Sequence, residues 1–300
     1  MYRPASPVAA YQGRFAPSPS GALHLGSLLT AVGSFLHARH HHGCWRVRIE
    51  DLDRPRVLAG ASAAILNTLE YFGMHWDGEV LYQSQRLTYY AEALEQLRQQ
   101  RKVYPCVCTR QQWAGKIYNG RCRAGISDFT QAQASRLQVT GEIQFHDEIQ
   151  GKFSQDLSRE LGDFILKRRD GIFAYQLAVV VDDALQGITH IVRGADLLDN
   201  TPRQLYLQQL LNYPTPHYAH LPLLLDEHGR KLSKQNHAAP IAAQRPQKLL
   251  WQVLKLLGQN PPENLLEASL SEFWAHSILH WKVQNIPQQL SISVCQLPLV

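Results

Sequence analysis

RFAPSPSGALHLGSLL, from Arg14 to Leu29, is the stretch from which the fold can be read. Tyr11 to Phe15 form an apolar-flanked strand, a Pro/Ser/Gly turn follows, and a helix is predicted from about His24. Spacing carries the helix: Leu25, Leu28, Leu29, Val32, Phe35 and Leu36 recur at three- and four-residue steps and form one apolar stripe. A strand, a small-residue turn and a helix N-terminus aim orphan backbone N–H groups and the positive end of the helix dipole at one spot, which suits a phosphate. Gly21 and Gly26 lack a Cβ, so a nucleotide could lie directly against the backbone. His24 adds a ring donor at the mouth of the turn. Taken alone, the same residues also fit any strand–turn–helix whose histidine caps the helix.

The totals bound the rest. The chain has 300 residues and a mass of 34.0 kDa, enough for one large or two modest domains with a sizeable core. A hydrophobic content of 45% fits a globular protein. No apolar run approaches the roughly 18 residues of a membrane span. The start, MYRPASPVAA, lacks the charged end and long apolar core of a signal peptide and is expected to be a loose arm over residues 1–10. A net charge of +5 and a pI near 8.9 permit a polyanionic partner without establishing one. Five cysteines, two of them one residue apart, do not make a disulfide framework and point to a reducing cytoplasm.

In chain order, His40 to His42 with Gly43 read as a solvated helix end rather than a metal site. Trp45 to Ile49 alternates as a strand, and around its carboxyl end stand Arg48, Glu50, Asp51 and Asp53, where open α/β sheets place ligand chemistry. A charged loop capping the next helix would look the same. Helices over 61–72 and 84–100 flank a short strand at 80–82, and this alternation predicts a doubly wound parallel sheet. At Val103 the pattern breaks into C-x-C-x13-C, with Cys106, Cys108 and Cys122 around Tyr118. Zinc takes four ligands in a tetrahedron, so three cysteines are one short. Tyr118 stands nearest among side chains able to coordinate, His146 is more remote, and three reduced structural cysteines are the other reading. Residues 124–155 are polar and weakly patterned. From Asp163 the sequence predicts a hairpin-like turn at Asp170-Gly171 and two apolar strands, with Asp182 and Asp183 as turn or hydrogen-bonding residues. LLLDEHGRKLSKQ reads as a strand, an acidic glycine turn and a basic loop, Lys231 to Gln235. Lys248–Leu257 and Glu263–Ile278, with Trp251, Phe273 and Trp274, have helical spacing and predict a small helical cap. Cys295 receives no role.

Several of these stretches together resemble one family. PSPSGALHLG is similar to the first nucleotide-binding motif of the class I aminoacyl-tRNA synthetases, in its glutamate branch, with Ser27 in place of the motif's last histidine. RIEDLD, DGIFAYQLAVVVDD and GITHIVRGADLLDNTPRQ resemble further blocks of that branch. Lys231 to Gln235 resembles the second class I signature, with Leu232 at its variable apolar position and Gln235 replacing the final serine.

The resemblance implies an α/β fold, a Rossmann-type doubly wound parallel sheet with a small zinc-binding insertion and a short C-terminal helical region. Its expected divisions are an arm at 1–10, the first half of the catalytic domain at 11–103, the insertion at 104–160, the second half at 161–225, and the signature loop with the helical region at 226–300. It further implies ATP binding by Gly21, His24, Gly26, Lys231 and Lys234, with His24 and Lys234 as the catalytic pair. It implies glutamate binding by Arg14, Ala16, Ser18, Glu50, Tyr175 and Arg193, with Glu50 meeting the α-ammonium group. Short members of the branch pair this cysteine spacing with a tyrosine ligand, which implies one structural Zn²⁺ on Cys106, Cys108, Tyr118 and Cys122. The match runs from about Tyr11 to Gln235, and the residues after it are too few for a long anticodon-reading region. In this the chain is similar to the glutamyl-Q tRNA(Asp) synthetase family, which activates L-glutamate with ATP and Mg²⁺ and esterifies it onto queuosine in tRNA(Asp). A truncated glutamyl-tRNA synthetase charging a tRNA 3′ end and a small-molecule nucleotidyltransferase are the alternatives. A cytoplasmic monomer with no membrane partner is the expected setting.

Overall fold

Strand β1 (Gln12–Phe15) leads through the Pro/Ser/Gly turn into helix α1 (Leu25–His40), then β2 (Cys44–Ile49), α2 (Ala61–Tyr71), β3 (Leu81–Tyr82) and α3 (Leu87–Gln99). The second half contains β4 (Val103–Cys106), β5 (Ala134–Leu137), β6 (Glu142–Asp147), β7 (Gly151–Asp156), β8 (Phe164–Lys167), α4 (Tyr175–Leu185), β9 (His190–Gly194), α5 (Thr201–Leu211) and β10 (His217–Leu221). The chain closes with β11 (Leu223–Leu225), α6 (Pro246–Leu256), α7 (Leu270–His280) and β12 (Ser291–Ser293). This computed structural model describes residues 11–294 apart from 110, 115, 128, 129, 131, 227 and 233–244. Lys234, the arm at 1–10 and Cys295 therefore lie outside the described residues.

The central layer is parallel, as the strand–helix alternation predicts. β2 pairs with both β1 and β3, and β10 pairs with both β9 and β6. The two sets meet where the Thr189 N–H donates to the Gln12 carbonyl at 3.0 Å and the Gln12 N–H donates to Thr189 Oγ1 at 2.8 Å. Successive side chains on a strand face opposite sides, so within β9 Ile191 joins one core and Val192 the other. The first core gathers α1, α2, α6 and α7, and the second gathers α3, α4 and α5. Both faces are covered, yet the strands are not apolar runs: Arg14, Arg48, Arg193 and His220 are buried within them.

Helix α1 is buried well beyond the stripe read from its sequence, because α7 covers its outer side. Phe35 and Trp274 meet edge to face with centroids 4.9 Å apart, and Trp274 Nε1 donates to the Phe72 carbonyl at 2.9 Å. The far end of α1 carries exposed His41 and His42, as expected of a solvated helix end.

Three features depart from the sequence reading. The apolar run after Asp170-Gly171 is helix α4, not a second strand. The turn makes one antiparallel bridge, Lys167 to Phe173, and Ala174 then starts the helix. Residues 177–183 are all buried between α3 and α5, so the run has no polar face to reveal its period, and three consecutive valines imitate a strand. The region from Glu263 to Ile278 is broken: a 3₁₀ turn at Glu263–Leu266 precedes α7, which Ser269 and Glu272 start with a reciprocal capping box. The hairpin β6–β7 falls inside the 104–160 stretch expected to be an insertion, yet β6 pairs with β10 of the central sheet. Only β4, β5 and β8 form the separate antiparallel sheet that carries the cysteines.

Candidate active site

The carboxyl ends of β1, β2 and β9 open into a cavity of about 680 Å³. Its rim is the turn after β1, stitched to the loop beyond β2 by Glu50 N–H to the Pro17 carbonyl at 3.0 Å and Leu58 N–H to the Pro19 carbonyl at 3.0 Å. Gly21 holds φ at 135°, a conformation open mainly to glycine. His24 is the N-cap of α1: its Nδ1 accepts from the Ser27 N–H at 3.3 Å, and its Nε2 lies 3.0 Å from Ser27 Oγ. A neutral ring with Nδ1 accepting carries its proton on Nε2, which then donates to the Ser27 hydroxyl. Ser27, the departure from the family motif, is thus the partner of the one motif histidine. A Cβ at Gly26 would approach that ring to 3.2 Å, so the close fit of ring and backbone uses the absence of a side chain there.

The lysine loop arrives on the same cavity. The Asp226 carboxylate accepts from the backbone of His228 and Arg230 and from Arg230 Nε, which sharpens a turn after β11. Lys231 then bridges back to Leu225, and Leu232 N–H donates to the Leu224 carbonyl at 2.8 Å. Lys231 Nζ pairs with Asp196, and the Leu232 carbonyl oxygen lies 3.5 Å from where a Gly26 Cβ would stand. Of the expected nucleotide residues, His24, Gly26 and Lys231 line the cavity, and Gly21 sits in the turn above it.

All six residues expected to bind the amino acid, Arg14, Ala16, Ser18, Glu50, Tyr175 and Arg193, line the cavity. Beneath them lies a buried charge network. Asp183 of α4 accepts from Arg14 Nε at 3.1 Å and from Arg48 Nη1 at 2.8 Å. Burial pushes the Asp183 carboxyl up, but the two guanidinium groups prevail and hold it below the usual carboxylate range. Asp182 accepts from Gln83, Arg86 and Tyr90 at 2.9, 2.6 and 2.7 Å. The two aspartates are therefore hydrogen-bonding residues, as expected, though on a helix rather than in a turn. Among the described residues the Glu50 carboxylate accepts from Arg48 Nη2 alone, at 3.4 Å. Burial pushes its carboxyl up to about 7, against the opposing pull of Arg48 and Arg14.

Arg193 stands on a second buried chain. Its Nε donates to His220 Nε2 at 3.0 Å, and His220 Nδ1 faces Asp147 Oδ2 at 2.5 Å. Arginine has no acceptor, so His220 accepts at Nε2 and carries its proton on Nδ1, toward Asp147. Burial pushes His220 below the ordinary histidine range, and nearby Arg193 adds to this despite the Asp147 hydrogen bond. Arg193 Nη2 donates to Thr201 Oγ1 at 2.8 Å, while Nη1 is buried with no hydrogen-bond partner among the described residues. One guanidinium edge is therefore fixed and one nitrogen left for a ligand.

A separate cluster lies on the antiparallel sheet. The Sγ atoms of Cys106, Cys108 and Cys122 lie within 4.8 Å of one another, an arrangement able to hold a metal ion. Cys108 and Cys122 Sγ are 3.6 Å apart, and Tyr118 Oη lies 3.5 Å from Cys106 Sγ and 3.8 Å from Cys108 Sγ. A zinc tetrahedron with Zn–S near 2.3 Å has edges of about 3.8 Å, close to these three separations. His146 is exposed on β6 and outside the cluster. Gly162 lets Tyr118 reach this place, since a Cβ there would stand 2.5 Å from the Tyr118 carbonyl oxygen. Arg136 completes the surroundings, with Nε 3.4 Å from Cys106 Sγ and its guanidinium 3.8 Å over the Tyr118 ring.

Sequence reading missed Asp147, His220 and Arg136. A histidine within an apolar strand (HYAHL) and an aspartate ending a polar one carry no local signal, because their pairing spans 73 residues.

Residues 11–124 and 126–268 match the family model of the catalytic domain of class I tRNA synthetases (E and Q). The glutamyl-Q tRNA(Asp) synthetase of Aromatoleum aromaticum is 54% identical over 288 residues, covering 93% of this chain and 91% of that protein. That of Pseudomonas aeruginosa is 51% identical over 285 residues, covering 94% and 97%. A crystal structure of a glutamate tRNA ligase from Elizabethkingia meningosepticum, in complex with its amino acid, superposes with a TM-score of 0.79 at 26% identity. This chain spans 66% of that one's length, with 94% of its own residues covered.

The raised Glu50 carboxyl makes a prediction independent of ligand. A carboxyl raised from 4.5 to about 7 contributes stability that is full below 4.5 and lost as pH climbs through 7. Glu50→Gln keeps the acceptor for Arg48 and removes the titration. Its melting temperature should match the parent's at pH 4.5 and exceed it by a few degrees at pH 8. Thermal melts across that range check this; an equal shift at both ends would refute the assignment.

Proposed function

The chain belongs to the family of class I tRNA synthetases (E and Q), and from that premise we propose that it activates L-glutamate with ATP and transfers it to queuosine in tRNA(Asp). The observation that carries this is the convergence, on one cavity, of the family's motif residues in a chain about half identical to glutamyl-Q tRNA(Asp) synthetases along nearly their whole length.

Activation needs little proton transfer. The glutamate carboxylate is already a nucleophile; it attacks the α-phosphorus while the bond to pyrophosphate breaks. The protein must align the two and stabilise charge on the phosphates. In this reading the α1 N-terminus, Gly21, Gly26, His24 and Lys231 hold ATP, and Lys234 completes the set from the sequence motif. Mg²⁺, entering with ATP, offsets phosphate charge.

Glutamate carries two carboxylates and one ammonium. Arg14 and Arg193 answer the carboxylates, Glu50 the ammonium, and Tyr175, Ala16 and Ser18 shape the remaining wall. The unpartnered Nη1 of Arg193 gains its hydrogen bond from a substrate oxygen. A bound ammonium stabilises ionised Glu50, whose carboxyl is otherwise raised. Glutamine in place of glutamate leaves a buried arginine short of a charged partner, a mismatch that rejects analogues strongly.

Cys106, Cys108, Tyr118 and Cys122 would hold one Zn²⁺, whose contribution is a cross-link for a loop too small to have a core of its own. Thiol ligands and unpaired cysteines suit a reducing compartment, and no helix among the described residues is long and apolar enough to cross a membrane. A cytoplasmic monomer is part of the proposal.

Incubation with labelled glutamate, ATP and tRNA(Asp), with and without queuosine, tests the reaction. Label should appear in the anticodon region only of queuosine-bearing tRNA; label at the 3′ end would overturn the acceptor. Lys234→Ala should keep its fold and slow glutamate-dependent pyrophosphate exchange by ~100-fold or more; a near-normal rate refutes its role. Elemental analysis of the purified protein should find one zinc per chain, lost in Cys122→Ser. Fully active protein free of zinc would sink the metal assignment.

A further inference from the structure

A second cavity, of about 500 Å³, lies between the cysteine-bearing sheet and the turn that follows β8. Four cations line it, Arg98, Lys167, Arg168 and Arg169, and none of its lining residues is acidic. Nearby carboxylates compensate this charge unevenly. Arg168 lies 3.4 Å from Asp53 and 2.6 Å from Asp170, and Arg98 lies 3.5 Å from Glu95 across an exposed i,i+3 pair, which contributes little. Neither Lys167 nor Arg169 has an ion pair among the described residues, and Arg169 Nη2 is a buried nitrogen without a hydrogen-bond partner. Lys167 Nζ instead rests 4.9 Å over the Phe173 ring, and Arg98 Nη2 donates to Ser135 Oγ at 3.0 Å. Arg168 lines both this cavity and the active-site cavity, so the two adjoin at that side chain.

We propose that this second cavity is a phosphate site for the RNA substrate, holding a backbone phosphodiester beside the nucleotide that enters the active site. The inference rests on the reading above that the acceptor is a base within a folded RNA. Such a base reaches a cavity only with its flanking backbone pressed against the rim, and Arg168 marks where that rim becomes basic. Phosphate contacts of this kind position an RNA without reading its sequence. They also make its binding depend on salt, with a slope of about 0.7–0.9 per contact. An uncompensated lysine and arginine, one with an orphaned buried nitrogen, are the donors that such a phosphate satisfies.

The test uses the full chain, a fluorescently labelled anticodon stem-loop of tRNA(Asp), and Lys167→Gln/Arg169→Gln. A second variant, Gln133→Glu, places a negative charge on the cavity wall without removing any packed cation. Glutamate-dependent pyrophosphate exchange without RNA should stay within twofold of the parent in Gln133→Glu. Stem-loop affinity at 100 mM salt should fall roughly tenfold in the double variant, and its salt slope should drop by about 1 to 2. Gln133→Glu should weaken binding in the same direction, and Lys167→Arg/Arg169→Lys should restore it. Unchanged affinity and slope in both charge-altering variants, or no stem-loop binding by the parent protein at 50 mM salt, overturns the site. Failure of glutamate transfer with a normal loss of binding in the variants would remove the proposed reaction and leave the phosphate site standing.

Discussion

Asp183 is the residue on which the site depends. It lies on α4 in the second half of the fold and grips Arg14 of β1 and Arg48 of β2 in the first. These three charges are almost wholly removed from water. Desolvating a charge is expensive, and deleting one partner of such a set leaves an uncompensated ion, typically destabilising by about 3–5 kcal/mol. A buried ion cluster is thus poor as a source of stability and effective as a constraint: the two halves can meet only in the register that pairs every charge. Gln186 and Asp182 add to the same constraint, with Asp182 collecting Gln83, Arg86 and Tyr90 from the helix entry beyond β3. The wall of the active-site cavity inherits its rigidity from this underlayer.

The segment from β1 into α1 is the most legible in the sequence. The turn at Gly21, the cap at His24 and the start of α1 follow from glycine, proline and apolar spacing, which act over a few residues. The pairing that orients Arg193 does not: Asp147 and His220 come together only because β6 and β10 are neighbours in the sheet. Helix α4 was misread for the same reason in reverse. Burial on all sides erased the polar face that would have separated a helix from a strand. The boundary of the cysteine module is a topological fact as well, since β6 and β7 lie between its strands in sequence and outside its sheet in space.

The cysteine module connects to the rest through Asp163. That carboxylate accepts from Arg123 at 2.6 and 2.7 Å and from the Val139 N–H at 2.9 Å, and it also holds the Tyr104 hydroxyl. Burial pushes Asp163 up, yet Arg123 and Tyr104 hold it below the carboxylate range. One acid thus ties the loop of Cys122, the strand of Cys106 and the start of β8 together. β8 runs directly into the basic turn at Lys167 to Arg169, so the cysteine module and the rim of the second cavity share one strand.

The two sides of the main cavity are built by different means. Under the proposed function, the amino-acid side consists of side chains at strand and helix ends, each locked from behind: Arg14 by Asp183, Arg193 by His220 and Thr201, Tyr175 by its place at the start of α4. The nucleotide side depends on a short return of the chain, secured by the Asp226 turn, a single bridge from Leu225 to Lys231, and the pair of Lys231 with Asp196. Discrimination between a carboxylate and an amide requires donors that cannot shift to accommodate the wrong group, so it belongs on the locked side. Stabilising charge that develops on a phosphate requires cations placed beside it, and under the proposed function Lys231 supplies one from this turn. Under the proposed function, selectivity thus belongs to the strand and helix ends, and the phosphate contacts to the turn after β11.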